Sequence, residues 1–285
     1  MTTTEHPSMS AASIHTVAGG AGTALHVREW GRPDGPALLL IHGWSGNHLC
    51  WDRQVTGELS EEFRIVALDL RGHGMSDRPL DADLYTDSGV WAADVAAVID
   101  QRGLDRPVLV GWSYGGFIIS DYVRAYGQDG IGAINFVAAA VTLDATFSHI
   151  GPAFLAAAPA GADADLPTRI AGLRRFWHSM TAEPLELADL ETGLCGSVSV
   201  PSQVLAALVS RQIDSDDVLS ELRVPVLVSH GRQDQVVSPS MADHILRVCP
   251  AAQASWYDMV GHAPFLEDPA RFNRELAALA RRVAV

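Results

Sequence analysis

The chain has 285 residues, a net charge of −14 and no lysine, all 20 basic residues being arginine. That length suits one large domain, or a domain carrying an insertion, with no need of disulfide staples. The missing lysine excludes Walker-type phosphate loops, Schiff-base and pyridoxal-phosphate chemistry and the kinase strand lysine, and the negative charge opposes nucleic acids and anionic membranes. Along the chain, short apolar runs alternate with longer amphipathic segments, the pattern of an α/β fold with a mainly parallel sheet. Runs near His15 to Ala18 and Thr23 to Trp30, separated by GGAG, predict a hairpin. Strands follow at Ala37 to Ile41, Phe63 to Leu70, Pro107 to Gly111, Ala133 to Val141, Pro225 to Ser229 and Ala254 to Asp258. Helices are expected where Trp91, Val95, Val98 and Ile99 recur, again at Met241, Ile245 and Val248, and again at Phe272, Leu276, Leu279 and Val283. Ser238-Pro239 and Asp268-Pro269 read as capped starts of the last two.

The stretch from about Thr142 to Arg223 breaks this alternation. It is rich in alanine, holds Pro152, Pro159, Pro167, Pro184 and Pro201, and has helical pieces but no convincing strand. An insertion of that length predicts a separate helical lid over residues 142–222, set on a core of residues 1–141 and 223–285. Cys50, Cys195 and Cys249 lie far apart without metal-ligand spacing and read as reduced thiols. The first residues lack a basic segment followed by an apolar one, and no apolar run approaches a membrane span, so a cytoplasmic protein is expected.

Gly111-Trp112-Ser113-Tyr114-Gly115 directly follows one strand and directly precedes a helical pattern from Phe117. That order suits a nucleophile elbow, in which small residues two positions either side let strand and helix approach and the serine oxygen is lifted clear of the sheet. An ordinary glycine turn is the bland alternative. A serine hydroxyl needs a base, and the base needs a third group to hold its tautomer. Asp234 lies just beyond one later strand, in HGRQD, and His262 just beyond the next, in GHAP. Three strand ends on one edge of a parallel sheet can converge there.

Taken together, the ordered elements IHGW from Ile41, DLRGHGMSD from Asp69, GWSYGG from Gly111, HGRQD from His230 and GHAPFLEDP from Gly261 make the chain resemble the α/β-hydrolase superfamily outside the insertion. The resemblance implies an eight-stranded, mainly parallel sheet flanked by helices, with a helical lid after the sixth strand. It implies Ser113 as nucleophile, His262 as general base and then general acid, and Asp234 as the orienting carboxylate, with no metal or cofactor. The backbone N–H groups of Trp44 and Tyr114 are the expected oxyanion donors. Asp144 competes with Asp234 for the acid role. His42, His73 and His230 read as turn-holding residues, as do Asp69 and Arg71.

Trp44, Phe147, Phe176 and Trp177 are pocket candidates, each with ordinary packing as the plainer alternative, and His149, Phe154, His178 and Met180 share that standing on the lid. Serine at the elbow argues against the dehalogenase and epoxide-hydrolase branches, whose nucleophile is a carboxylate. What remains is acyl chemistry on a small to medium, largely uncharged ester or lactone, with GWSYGG and HGW resembling the esterase and perhydrolase group. Carbon–carbon or amide hydrolysis, cofactor-independent oxygenation and a non-catalytic ligand receptor share the scaffold. The expected partner is a small-molecule substrate, with neither nucleic acid nor membrane, and homo-oligomerisation is left open.

Overall fold

The structure, a computed structural model, describes residues 12–283. The amino-terminal stretch read above for a leader therefore lies, up to residue 11, outside the described residues. Eight strands form one sheet: β1 Ser13–Ala18, β2 Ala24–Gly31, β3 Ala37–Ile41, β4 Arg64–Leu68, β5 Val108–Trp112, β6 Ala133–Val137, β9 Val226–Gly231 and β10 Ala252–Tyr257. Their order across the sheet is β1-β2-β4-β3-β5-β6-β9-β10. The β1–β2 hairpin is antiparallel, β2 pairs β4 antiparallel, and every pairing from β4 to β10 is parallel.

Strands β3, β5 and β6 are buried along their whole length, which is why they read as continuous apolar runs rather than alternating ones. Parallel pairing puts the carboxyl ends of β3, β4, β5, β9 and β10 on one edge, and all the motifs quoted above begin at or just past these ends. The helices that cover the sheet begin where their side chains allow. Asp87, Ser238 and Asp268 each accept from an N–H of the first turn of helices Ser88–Gln101, Pro239–Val248 and Pro269–Arg281.

Strand β6 ends at Val137, short of the expected Val141. Ala138 takes φ +42° and its N–H bonds Ser229 O, while the Ala140 N–H turns back to Ser113 O at 3.0 Å. The apolar run thus leaves the sheet to close over the turn at Ser113.

Between β6 and β9 the chain forms helices Pro152–Gly161, Leu166–His178, Leu187–Ser199 and Ser202–Val209. The expectation of no strand there needs correction. The insertion begins and ends in a two-residue antiparallel ladder, β7 Thr142–Leu143 with β8 Ile213–Asp214, too short to leave an alternating pattern. The chain is already back on the core in Asp216–Ser220, where Asp216 Oδ1 lies 2.6 Å from His244 Nε2 and Asp217 pairs with Arg124. Among the described residues no single helix is long and apolar enough to cross a membrane.

Candidate active site

Ser113 follows β5 directly and takes φ +54°, a conformation costly for a residue with a Cβ. Its main chain is held from both sides: its N–H donates to Val137 O, and its carbonyl accepts from Gly116 and Ala140. The crowding that makes this turn possible is read from the glycines around it. A Cβ on Gly111 would stand 2.7 Å from Gly115 O, and one on Gly115 would stand 2.7 Å from Ile41 O. A Cβ on Gly43, in the loop after β3, would stand 2.8 Å from Ser113 Cβ and 3.3 Å from Ser113 Oγ.

Asp234 and His262 meet as the convergence of strand ends requires. Asp234 Oδ2 lies 2.8 Å from His262 Nδ1, and Oδ1 accepts the N–H groups of Val236 and Val237 at 2.8 and 3.0 Å. Burial alone would raise the Asp234 carboxyl, but the charge of His262 and hydrogen bonds from His230 and His262 hold it well below the ordinary carboxylate range. An ionised carboxylate only accepts, so Nδ1 carries a proton, and in the neutral form of the ring the lone pair is on Nε2. That Nε2 is buried and has no hydrogen-bond partner among the described residues. The ring is steadied by Trp112, tilted against it at 5.4 Å between centroids, whose indole N–H donates to His262 O at 2.9 Å.

The loop after β3, which carries Trp44, is shaped by His42. Its Nε2 accepts the Leu70 N–H at 3.0 Å, so its Nδ1 is the donor that meets Gly43 O at 2.8 Å. Burial lowers this imidazole to about 4, which keeps it neutral and the tautomer intact. Gly43 O also accepts from Gly46 N–H, and across the trans peptide the Trp44 N–H must point the opposite way. Neither the Trp44 N–H nor the Tyr114 N–H has an acceptor among the described residues.

Above Ser113 lies a cavity of only about 20 Å³, lined by Trp44, Tyr114, Phe117, Ala140, Leu143, Ile150, Phe154, Val209, Val236 and Val237. Tyr114 turns its hydroxyl away, to Leu208 O at 3.1 Å, so the walls are apolar. Of the pocket candidates, Trp44 stands on this wall. Phe176 packs edge-on behind Trp44 at 5.4 Å, Trp177 is turned to Ser197 Oγ, and Phe147 occupies a turn with φ +52° away from the cavity.

Val236 and Val237 escaped notice in the sequence, although a carboxylate needing two N–H donors fixes the residues just after it beside the site. Asp144 is exposed and satisfied within its own loop by Thr146 and Ser148, whereas His262 Nδ1 is bonded to Asp234. His73 Nδ1 donates to Arg71 O at 2.9 Å, and burial lowers the ring to about 3. His230 meets Val237 O at 3.1 Å and Asp234 Oδ2 at 3.3 Å, so it bears on the acid directly. Asp69 accepts from the His48 and Met75 N–H groups, and Arg71 is buried against Asp94 at 2.6 Å. His26, His48 and Asp69 bring ligand-type atoms within 4.8 Å of one another, but Asp69 is spent on these turn bonds and Arg28 lies 3.4 Å from His48.

A serine raised on a strand-to-helix turn, a histidine buried against an acid and two free backbone donors define a hydrolase-type site on an α/β sheet. Residues 36–269 match the family described as alpha/beta hydrolase fold, and the chain belongs to it. It is 31% identical over 231 residues to a bifunctional esterase/perhydrolase of Acinetobacter calcoaceticus, covering 76% of this chain and 80% of that protein. It is 30% identical to a non-heme chloroperoxidase of Streptomyces lividans, covering 93% of this chain and 99% of that one. An esterase structure from Rhodococcus sp. ECU1013 superposes with a TM-score of 0.90 at 36% identity, covering 95% and 99% of the two chains.

Proposed function

We propose that the protein is a serine hydrolase that cleaves small to medium, uncharged carboxylic esters through an acyl-enzyme. The observation that carries the reading is the His262–Asp234 bond, which leaves a buried, unpaired Nε2 as proton acceptor on the same sheet edge as the strained Ser113. In this reading Ser113 Oγ attacks the ester carbonyl while His262 Nε2 takes its proton. Asp234 stabilises the imidazolium that forms. The developing oxyanion is met by the N–H groups of Trp44 and Tyr114, which need not move during the reaction. Collapse expels the alcohol with the proton from His262, leaving an acyl ester on Ser113. Water, deprotonated by the same nitrogen, then releases the acid. Apo serine-to-histidine bonds are commonly long, so the absence of one here is compatible with the scheme.

The apolar cavity supports an uncharged acyl group. Arg211, which touches Tyr114, is already paired with Asp121 at 2.6 Å and offers no free charge to a substrate carboxylate. With about 20 Å³ free, an ester enters only if the helical insertion, whose Phe154 and Val209 close the cavity, shifts as a lid. The ester chemistry of the similar proteins supports the same reading. A fluorophosphonate should label Ser113 in the unmodified protein and fail in His262→Ala, and short p-nitrophenyl esters should turn over. Absence of both labelling and turnover would leave a binding protein on this fold instead.

A further inference from the structure

The motif that carries His262 runs on to Glu267, whose carboxylate takes no part in the scheme above. It is half-buried, and its position is unusual. Oε1 and Oε2 accept the Gly261 N–H at 2.9 and 3.1 Å, Oε1 is 3.4 Å from the Ala263 N–H, and Oε2 accepts the Ala182 N–H at 2.7 Å. Gly261 and Ala263 flank His262 on either side. Ala182 belongs to the insertion, 85 residues away in sequence, just after helix Leu166–His178. The His262 N–H itself donates to Met180 O at 2.6 Å. The insertion segment 180–182 is therefore laced to the His262 loop by one direct main-chain bond and one shared carboxylate.

Gly261 permits the approach, since a Cβ there would stand 2.9 Å from both Ala182 N and Met180 O. The other catalytic loops are also tied to the insertion. Ser197 Oγ donates to Ser45 O at 2.9 Å, the Trp44 indole meets Leu205 O at 3.3 Å, and the Tyr114 hydroxyl meets Leu208 O. Those ties end on side chains or on a residue beside the oxyanion donor, while the loop just after Asp234 is held through main-chain bonds from Gly151 N–H to Val236 O at 2.8 Å and from Ala153 N–H to Gln235 O at 2.9 Å. Only at His262 is the main chain of a triad residue itself held by the insertion.

We propose that Glu267 is a positioning residue that couples the lid to the general base. Its carboxylate fixes the His262 loop and hooks it to Ala182, so His262 is in its working place only when the lid segment 180–182 is docked. This rests on the reading of Ser113 and His262 given above. A purely local role, capping the short helix Pro264–Glu267, accounts for the Ala263 and Gly261 bonds but not for the bond to Ala182. Charged acceptors bind N–H groups about twice as strongly as neutral ones. A glutamine in the same space would turn an N–H₂ toward one of these donors.

The test uses the full chain and short p-nitrophenyl esters. In Glu267→Gln and Glu267→Ala, kcat should fall about 10²-fold, as expected for a misplacement near 1 Å, with KM unchanged within about threefold. Fluorophosphonate labelling of Ser113 should slow in step. Added formate should restore part of kcat in Glu267→Ala and none in His262→Ala. If both Glu267 variants melt at lower temperature yet keep kcat, the residue is structural only and the proposal is overturned. Hydrogen exchange on the unmodified protein gives an answer even if the variants fail to fold. The amides of Gly261, His262 and Ala182 should open together, and independent, much faster exchange at Ala182 would overturn the coupling. If the unmodified protein neither labels nor turns over, the hydrolase reading falls, while the exchange measurement still decides whether lid segment and loop move as one.

Discussion

Replacing Gly43 by alanine adds a single methyl group to the loop that carries the oxyanion donor, and the outcome follows from one distance. The new Cβ would lie 2.8 Å from Ser113 Cβ, 3.2 Å from Trp112 O and 3.3 Å from Ser113 Oγ. Two carbons rest at about 3.5–4.0 Å, so loop and nucleophile must separate by about 0.7–1.2 Å. Neither side yields easily. Ser113 is bound through both its N–H and its carbonyl, and Gly43 O is held by His42 and Gly46.

A shift of about 1 Å between nucleophile and oxyanion donor costs about 10²-fold in rate, and complete loss of one donor about 10²–10³-fold. Gly43→Ala should therefore lose about 10²-fold in kcat with p-nitrophenyl esters. Overpacking should cost stability only about 1–3 kcal/mol, leaving the variant folded. Stopped-flow or plate kinetics beside a thermal melt reads both quantities. A folded Gly43→Ala protein whose kcat stays within threefold of the parent would refute the placement of that loop against the nucleophile.

Asp234→Asn should lower kcat by about 10⁴-fold by disturbing the His262 tautomer, whereas Asp144→Asn should leave kcat within a factor of two, and the reverse result would move the acid role to Asp144. Stability should fall as the pH drops below about 6.5, because an unfolded chain protonates His42 and His73 there while burial keeps both neutral in the fold down to about 4 and about 3. Both depressed values have the same sign, with stability fully present above the unfolded value and lost as pH falls toward the folded ones. Urea midpoints at pH 7 and pH 5 check it, and equal midpoints would contradict the burial of these two rings. Arg211→Met should cost about 3–5 kcal/mol, because Asp121, 4% exposed, would be left as a buried charge without its partner. Denaturant unfolding measures it, and a loss below about 1 kcal/mol would mean that water reaches the pair.

Much of this protein is local and so was legible in its residues. Continuous burial on both faces makes β3, β5 and β6 read as apolar runs, and Ser238 and Asp268 are visible helix starts because a capping side chain acts within three residues. GxSxG, HGRQD and GHAP place Ser113, Asp234 and His262 just past strand ends, and parallel pairing then brings those ends together. What the residues could not decide is anything that depends on two distant segments touching. The β7–β8 ladder joins positions about 70 residues apart through two residues each, which leaves no periodic trace.

The pocket wall behaves likewise. A helical aromatic such as Phe176 or Trp177 is equally at home on a cavity or in helix packing, and only the docking of the insertion turned both away while placing Phe154 and Val209 over Ser113. The proposed oxyanion donors are main-chain groups, so their residue types carry little information. The direction of the Trp44 N–H was decided by the His42 hydrogen bonds and the close approach at Gly43. Glu267 is the clearest case: its residue type and its distance from His262 were on view from the start, but its partner in the insertion, Ala182, is fixed by tertiary packing alone.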